Sequence, residues 1–182
     1  MSDTSNNNTG ISRSPVAHST THFIRQPRAL GVLAALVCFG LLASAFYMEY
    51  VLYLEPCPLC MAQRLVFGLF GLVGLVMAFN PTRVRTFAVL GALIGLSGLA
   101  LATRQLYLQS LPPELVPACA PGLYFMIERF PLLEVLSAML TGTGECADVQ
   151  WTFLSLSIPG WTAIAFACMT AAAAALPWYA RS

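Results

Sequence analysis

The sequence predicts an all-α, polytopic membrane protein: a bundle of four transmembrane helices with a long periplasmic loop. Three observations carry this. The 182-residue chain is 58% hydrophobic and only 9% charged, whereas a soluble domain has about 25% charged residues. The apolar residues fall into four blocks rather than one anchor. Nearly all the charges lie between or outside those blocks. So few charges cannot clothe a surface that faces water.

Residues 1–28, "MSDTSNNNTGISRSPVAHSTTHFIRQPR", are rich in Ser, Thr and Asn and are expected to form a disordered cytoplasmic tail. The apolar run that follows is too long for the core of a signal peptide, and no small-residue cleavage site follows it. It opens the first spanning helix, Ala29 to about Tyr50, which is uninterrupted until Glu49. The second block, Leu65–Phe79, is short and stops at Asn80-Pro81. A spanning helix needs about 20 residues, so Met61–Arg64 must be helical too. The third helix runs from Phe87 to about Leu108 and the fourth from Pro159 to about Ala180, with Pro at a favoured starting position. Residues 29–180 thus make the membrane domain. Gly91 and Gly95 have the small-x-x-x-small spacing that lets helices approach closely, here inside one bundle.

Arg13, Arg25 and Arg28 precede the first helix, Arg83 and Arg85 separate the second from the third, and Arg181 follows the fourth. All six fall on one side of a four-helix topology, which the positive-inside rule makes the cytoplasm. Both termini are then cytoplasmic. The opposite side has a short connection near 51–57 and a long one near 109–158. A loop of that length is expected to carry function. Within it, "PLLEVLSAML" (131–140) reads as a short helix on the membrane surface and "TGTGEC" (141–146) as a flexible hinge. A net charge of +1 gives no reason to expect a nucleic-acid partner.

Chemistry rests on six cysteines, since His18 and His22 both lie in the tail. Cys38 and Cys168 fall mid-helix and read as small, inert hydrophobes. Cys57 and Cys60, in "EPCPLCMAQR", open the second helix at the outer face; Cys119 and Cys146 lie in the long loop. These four share an oxidising compartment, where disulfides persist. They are either structural staples or a redox relay. A zinc site is disfavoured because Cys119 and Cys146 do not form a second knuckle. The ring closed by Cys57-Pro58-Leu59-Cys60 restrains little chain and is a weak staple. At a helix N-terminus, Cys57 meets unpaired N–H groups and the positive dipole end, which should lower its pKa. Arg64 lies one turn after Cys60 on the same face, where it can snorkel to headgroups or stabilise an anion. Arg104 is a weaker version of the same case. Glu49 reads as a boundary or packing residue.

These residues resemble the DsbB family of bacterial inner-membrane thiol oxidases. The likeness covers about 29–180 and includes "EPCPLCMAQR", Cys119, "RFP" (129–131) and "ECADVQWTFLSLSIPGW" (145–161). The long polar N-terminal tail and the minimal C-terminal tail depart from the family pattern. The resemblance implies an enzyme that reoxidises a periplasmic thioredoxin-like oxidase, DsbA, and passes the electrons to a membrane quinone, ubiquinone before menaquinone. Cys119 and Cys146 would form the loop disulfide that DsbA attacks, with Cys119 in the mixed disulfide. Cys57 and Cys60 would be the pair beside the quinone, and Arg64 the quinone-proximal arginine. Energetics agrees. DsbA lies near −120 mV and structural disulfides below about −300 mV, so an ordinary disulfide would oxidise DsbA uphill by roughly 8 kcal/mol. A stronger oxidant must draw the electrons away. The alternatives are an enzyme like vitamin K epoxide reductase, or a non-enzymatic membrane protein with a stapled loop.

Overall fold

The computed structural model describes residues 27–119 and 123–179. The expected tail falls almost wholly outside these, as do Arg13, Arg25 and Arg181. Among the described residues, four helices are long and apolar enough to cross a membrane: α1 (Pro27–Tyr50), α2 (Pro58–Phe79), α3 (Val84–Gln109) and α6 (Ile158–Tyr179). α2 takes in Met61–Arg64, as its length required. Its start is set by Cys57 as N-cap with Pro58 in the first turn. Its end is set by Asn80, whose N–H bonds back to Val76, before Pro81 opens a 3₁₀ turn.

The helices are apolar all round, so outward faces carry bare leucines, such as Leu36 at 65% exposure and Leu93 at 59%. In lipid such faces give no drive for one helix to seek another, so close packing of small residues must supply the contact. Two seams do this. Gly31 and Gly74 meet backbone to backbone between α1 and α2, and Gly71 sits against Cys38. Between α3 and α6, Gly91 faces Ala173, Gly95 faces Thr170 and Gly98 faces the Phe166 ring. The Gly91/Gly95 spacing thus serves packing within the bundle. Phe67 of α2 stacks on Phe166 of α6, centroids 4.2 Å apart, and joins the two helix pairs. Cys38 is fully buried in this core, while Cys168 lies on the outside of the bundle.

The connection from α3 to α6 is more structured than its sequence suggests. It holds a 3₁₀ turn (Pro113–Leu115), α4 (Leu123–Arg129), α5 (Leu132–Thr141), a second 3₁₀ turn (Gly144–Ala147) and a hairpin of β1 (Thr152–Phe153) and β2 (Leu156–Ser157). α5 is the helix expected over 131–140. It is not merely laid on a surface: Val135 and Met126 are buried with Met61 of α2 packed against them. The hairpin turns at Leu154 and Ser155, both with positive φ, and pairs Phe153 with Leu156. That twist matches the strands it joins.

The stretch 141–146 is packed rather than a hinge. Gly142 has φ +81, and a Cβ there would come within 2.6 Å of both Leu59 and Leu108. Gly144 lies against Cys119 and the Pro117 carbonyl. Both glycines are needed for close approach, and together they set Cys146 down on the start of α2. Arg104 has a different task from Arg64: its Nε donates to the Thr141 carbonyl (3.1 Å) at the end of α5, where a cation suits the exposed carbonyls.

Candidate functional site

Three of the four candidate redox cysteines meet at the first turn of α2. Cys57, the N-cap, accepts from the Cys60 backbone N–H (3.4 Å), and its thiol donates to Cys60 Sγ across 2.9 Å. Cys146 arrives from the 3₁₀ turn and is fully buried with Cys57, Leu59 and Leu108. Cys119 is exposed and lies beside Gly144, which is two residues before Cys146 in the chain. Cys57 and Cys60 both pack against the cluster that holds Cys146, and of the two only Cys60 also lines the neighbouring cleft.

The electrostatics differ from the sequence expectation. Cys57 is held as a thiol, its pKa raised, because its one hydrogen has two acceptors to serve, Cys146 first and Cys60 second, with burial adding to the effect. Cys146 takes the place of the favoured anion. Its pKa is lowered to about 6, chiefly by the Cys57 hydrogen bond, with help against desolvation from the Leu59 and Thr143 backbone N–H groups. The N–H of Leu59 belongs to the N-terminus of α2. The helix start thus acidifies a thiol, as its chemistry demands, but the thiol comes from the loop.

Cys60 opens onto a cleft of about 670 Å³ between α1, α2 and α6, within the range of small-molecule sites. Its walls are mainly apolar, with Leu42, Phe67 and Trp161 among them. The hairpin roofs it: Trp161 Nε1 donates to the Phe153 carbonyl at 3.1 Å, and both residues line the cleft. Arg64 stands on the wall. Its guanidinium is paired with the Glu49 carboxylate, donates to the Ala45 carbonyl (3.1 Å) and lies 5.2 Å from the centroid of the Phe46 ring. The arginine is anchored to α1 rather than reaching for headgroups.

These surroundings bear on which family can use such a pair. A family model for disulfide bond formation protein DsbB matches residues 27–176. The chain belongs to the DsbB family. Its relatives include disulfide bond formation protein B of Hahella chejuensis, 60% identical over 147 residues, covering 79% of this chain and 89% of the relative. That of Marinobacter nauticus is 52% identical over 140 residues, covering 75% and 83%. Disulfide bond formation protein B 1 of Pseudomonas aeruginosa is 42% identical over 146 residues, covering 79% and 90%. DsbB membership and four spanning helices make this a multi-pass inner-membrane protein with a disulfide-forming oxidoreductase role.

Four site residues escaped sequence reasoning in this DsbB chain. Glu49 partners Arg64. Gln63, Gln105 and Thr162 form a hydrogen-bonded chain that ends on the sulfurs: Thr162 donates to Gln63 (2.7 Å), Gln63 to Gln105 (2.7 Å), and Gln105 to Cys60 Sγ (3.2 Å) and Cys57 Sγ (3.4 Å). The available signal was their polarity within apolar blocks, since polar groups at membrane depth tend to be functional.

Proposed function

We propose that this chain takes electrons from a DsbA-like periplasmic dithiol and delivers them, through two cysteine pairs, to a membrane quinone. The Arg-rich end of the bundle would face the cytoplasm and the cysteine end the periplasm. One observation carries the reading: the dithiol at the start of α2 meets the loop cysteine through Cys57 and opens onto a membrane-level cleft through Cys60.

A partner thiolate attacks Cys119 of a Cys119–Cys146 disulfide; a partner–Cys119 bond forms and Cys146 leaves as thiolate. With its lowered pKa, Cys146 is a good leaving group. It then attacks Cys57 of the Cys57–Cys60 disulfide, and that bond's electron pair departs on Cys60. The second partner thiol releases Cys119, which closes again on Cys146 and leaves Cys57 and Cys60 reduced. One partner disulfide has been made, and two electrons rest on the pair beside the cleft.

The cleft fits a quinone by size, apolar walls and one cation. A bound quinone supplies the terminal oxidant, taking two electrons and two protons to become quinol. Phe67 and Trp161 would hold its ring, and Arg64 would bear on an oxygen that gains charge. Glu49 fixes Arg64 in that position. The test is quinone absorbance in detergent with a reduced DsbA-like protein. Quinone should disappear in step with partner oxidation, and not at all in Cys57→Ala or Cys60→Ala. A stapled, non-enzymatic protein would consume none.

A further inference from the structure

Two glutamines buried to 3% exposure inside a membrane bundle need a reason, because buried amides are costly unless their hydrogen bonds are made. Gln63 on α2 and Gln105 on α3 make theirs in one direction. The Thr162 hydroxyl on α6 has one hydrogen for two acceptors, Gln63 Oε1 at 2.7 Å and the Pro159 carbonyl at 3.0 Å, and the shorter contact gives it to Gln63. That turns the Gln63 amide N–H toward Gln105 Oε1. Gln105 must then present its own N–H groups to the sulfurs, nearer to Cys60 than to Cys57. The series starts at a donor and ends at a donor aimed at sulfur, so an anionic sulfur satisfies it best.

We propose that Gln105, held in place by Gln63 and Thr162, is the donor that fixes the negative charge of the reduced Cys57–Cys60 pair on Cys60, the sulfur facing the cleft. This rests on the reading of that pair as the working dithiol. Cys60 accepts from Gln105, and from the Cys57 thiol only when that thiol's one hydrogen is not turned to Cys146. When the Cys57–Cys60 bond is broken at Cys57, its electron pair goes to Cys60 and no proton need move. An amide N–H holds that charge without quenching it, since it does not give up its proton as an acid would. Gln63 and Thr162 touch no reacting atom; they are positioning residues.

Other groups near Cys60 set the background. Cys57 and Cys146 lie in the thiol cluster, Arg64 and Glu55 line the cleft, and Glu145 and Asp148 line a small gap that also touches Cys57 and Cys60. None is altered by the variants below. The test uses the full-length protein in detergent, reduced, without partner or quinone. Iodoacetamide alkylation of Cys60 is followed against pH and assigned to the residue by mass spectrometry. Gln105→Leu should raise the alkylation midpoint by about one pH unit, a tenfold loss of thiolate near neutrality. Thr162→Val should shift it less, in the same direction, and Thr162→Ser should restore it. An unchanged Cys60 profile in Gln105→Leu, or a shift at Cys57 instead, would overturn the proposal. If Gln105→Leu does not fold, Thr162→Val decides, because it keeps the volume and lies away from the sulfurs. Failure of the wild type to reduce quinone, with these shifts present, would refute the proposed function and not this assignment.

Discussion

On the side of α2's first turn that carries Cys57, the neighbours are mainly backbone, glycines and apolar side chains, with the Gln105 amide at 3.4 Å. Gly142 and Gly144 bring the loop down, and Cys146 settles on the Leu59 N–H, buried with Leu108. On the side that carries Cys60, the neighbours are polar side chains set in an apolar cleft: Gln105 on the sulfur, and Arg64 locked to Glu49 a turn further on. The loop side is built by steric fit, the cleft side by hydrogen bonds and charge. One dithiol thus has two outlets, and each can be disturbed by a different kind of substitution.

The largest expected effect is on the cleft side. Glu49→Leu leaves the part-buried Arg64 guanidinium without its counter-ion, at a cost of up to about 3 kcal/mol, the lower end for a fully buried pair. Thermal unfolding in detergent should show the loss, and Glu49→Leu combined with Arg64→Leu should recover part of it. Equal stability of Glu49→Leu and wild type would mean that charge does not organise this side.

The loop side should answer through pH. Cys146 titrates near 6 chiefly because Cys57 donates to it. A lowered pKa keeps Cys146 a thiolate above about pH 6; its contribution to the stability of the folded reduced state is complete above the ordinary thiol value of about 8.5, declines as pH falls between the two, and is gone below about 6. Cys57→Ala removes the leading cause, so the Cys146 pKa should rise toward the ordinary thiol value of about 8.5. At pH 7 the thiolate fraction would fall from about nine tenths to a few per cent. Ultraviolet thiolate absorbance, assigned by difference from Cys146→Ala, reads this directly. An unmoved titration would place the stabilising group elsewhere, on the helix N–H groups alone.

A smaller effect is expected where fit alone is at stake. Gly142→Ala would suffer both the positive φ and the contact with Leu59 and Leu108, at about 1–3 kcal/mol. It should loosen the seat of Cys146 and leave the Arg64 side unchanged. A fall in stability without any change in the Cys146 titration would separate the fold of the loop from its chemistry.

The same contrast explains what could be read from the sequence. The four spans, the start of α2 at Cys57 and the short helix after Pro131 follow from hydropathy, length and helix-start rules, which are local. The role of "TGTGEC" does not. Glycines license mobility and close approach alike, and only the positions of Leu59 and Leu108 tell which applies. The identity of the acidified thiol was also hidden. The helix N-terminus was visible at Cys57, but the group it serves comes from Cys146, far along the chain. Glu49, Gln63, Gln105 and Thr162 lie on four different helices, and no local pattern links them. Arg104 and Arg64 look alike in sequence, yet one ends a helix and the other lines a cleft.

The most direct measurement maps the disulfides formed when the oxidised protein meets a DsbA-like partner carrying a single cysteine, quenched in acid. That partner can attack but cannot complete the exchange, so the electrons halt partway. The expected products are a partner–Cys119 bond and a Cys57–Cys146 bond, with Cys60 free. A Cys60–Cys146 bond, or an intact Cys57–Cys60 bond beside a free Cys146, would contradict the division of the dithiol into a loop face and a cleft face.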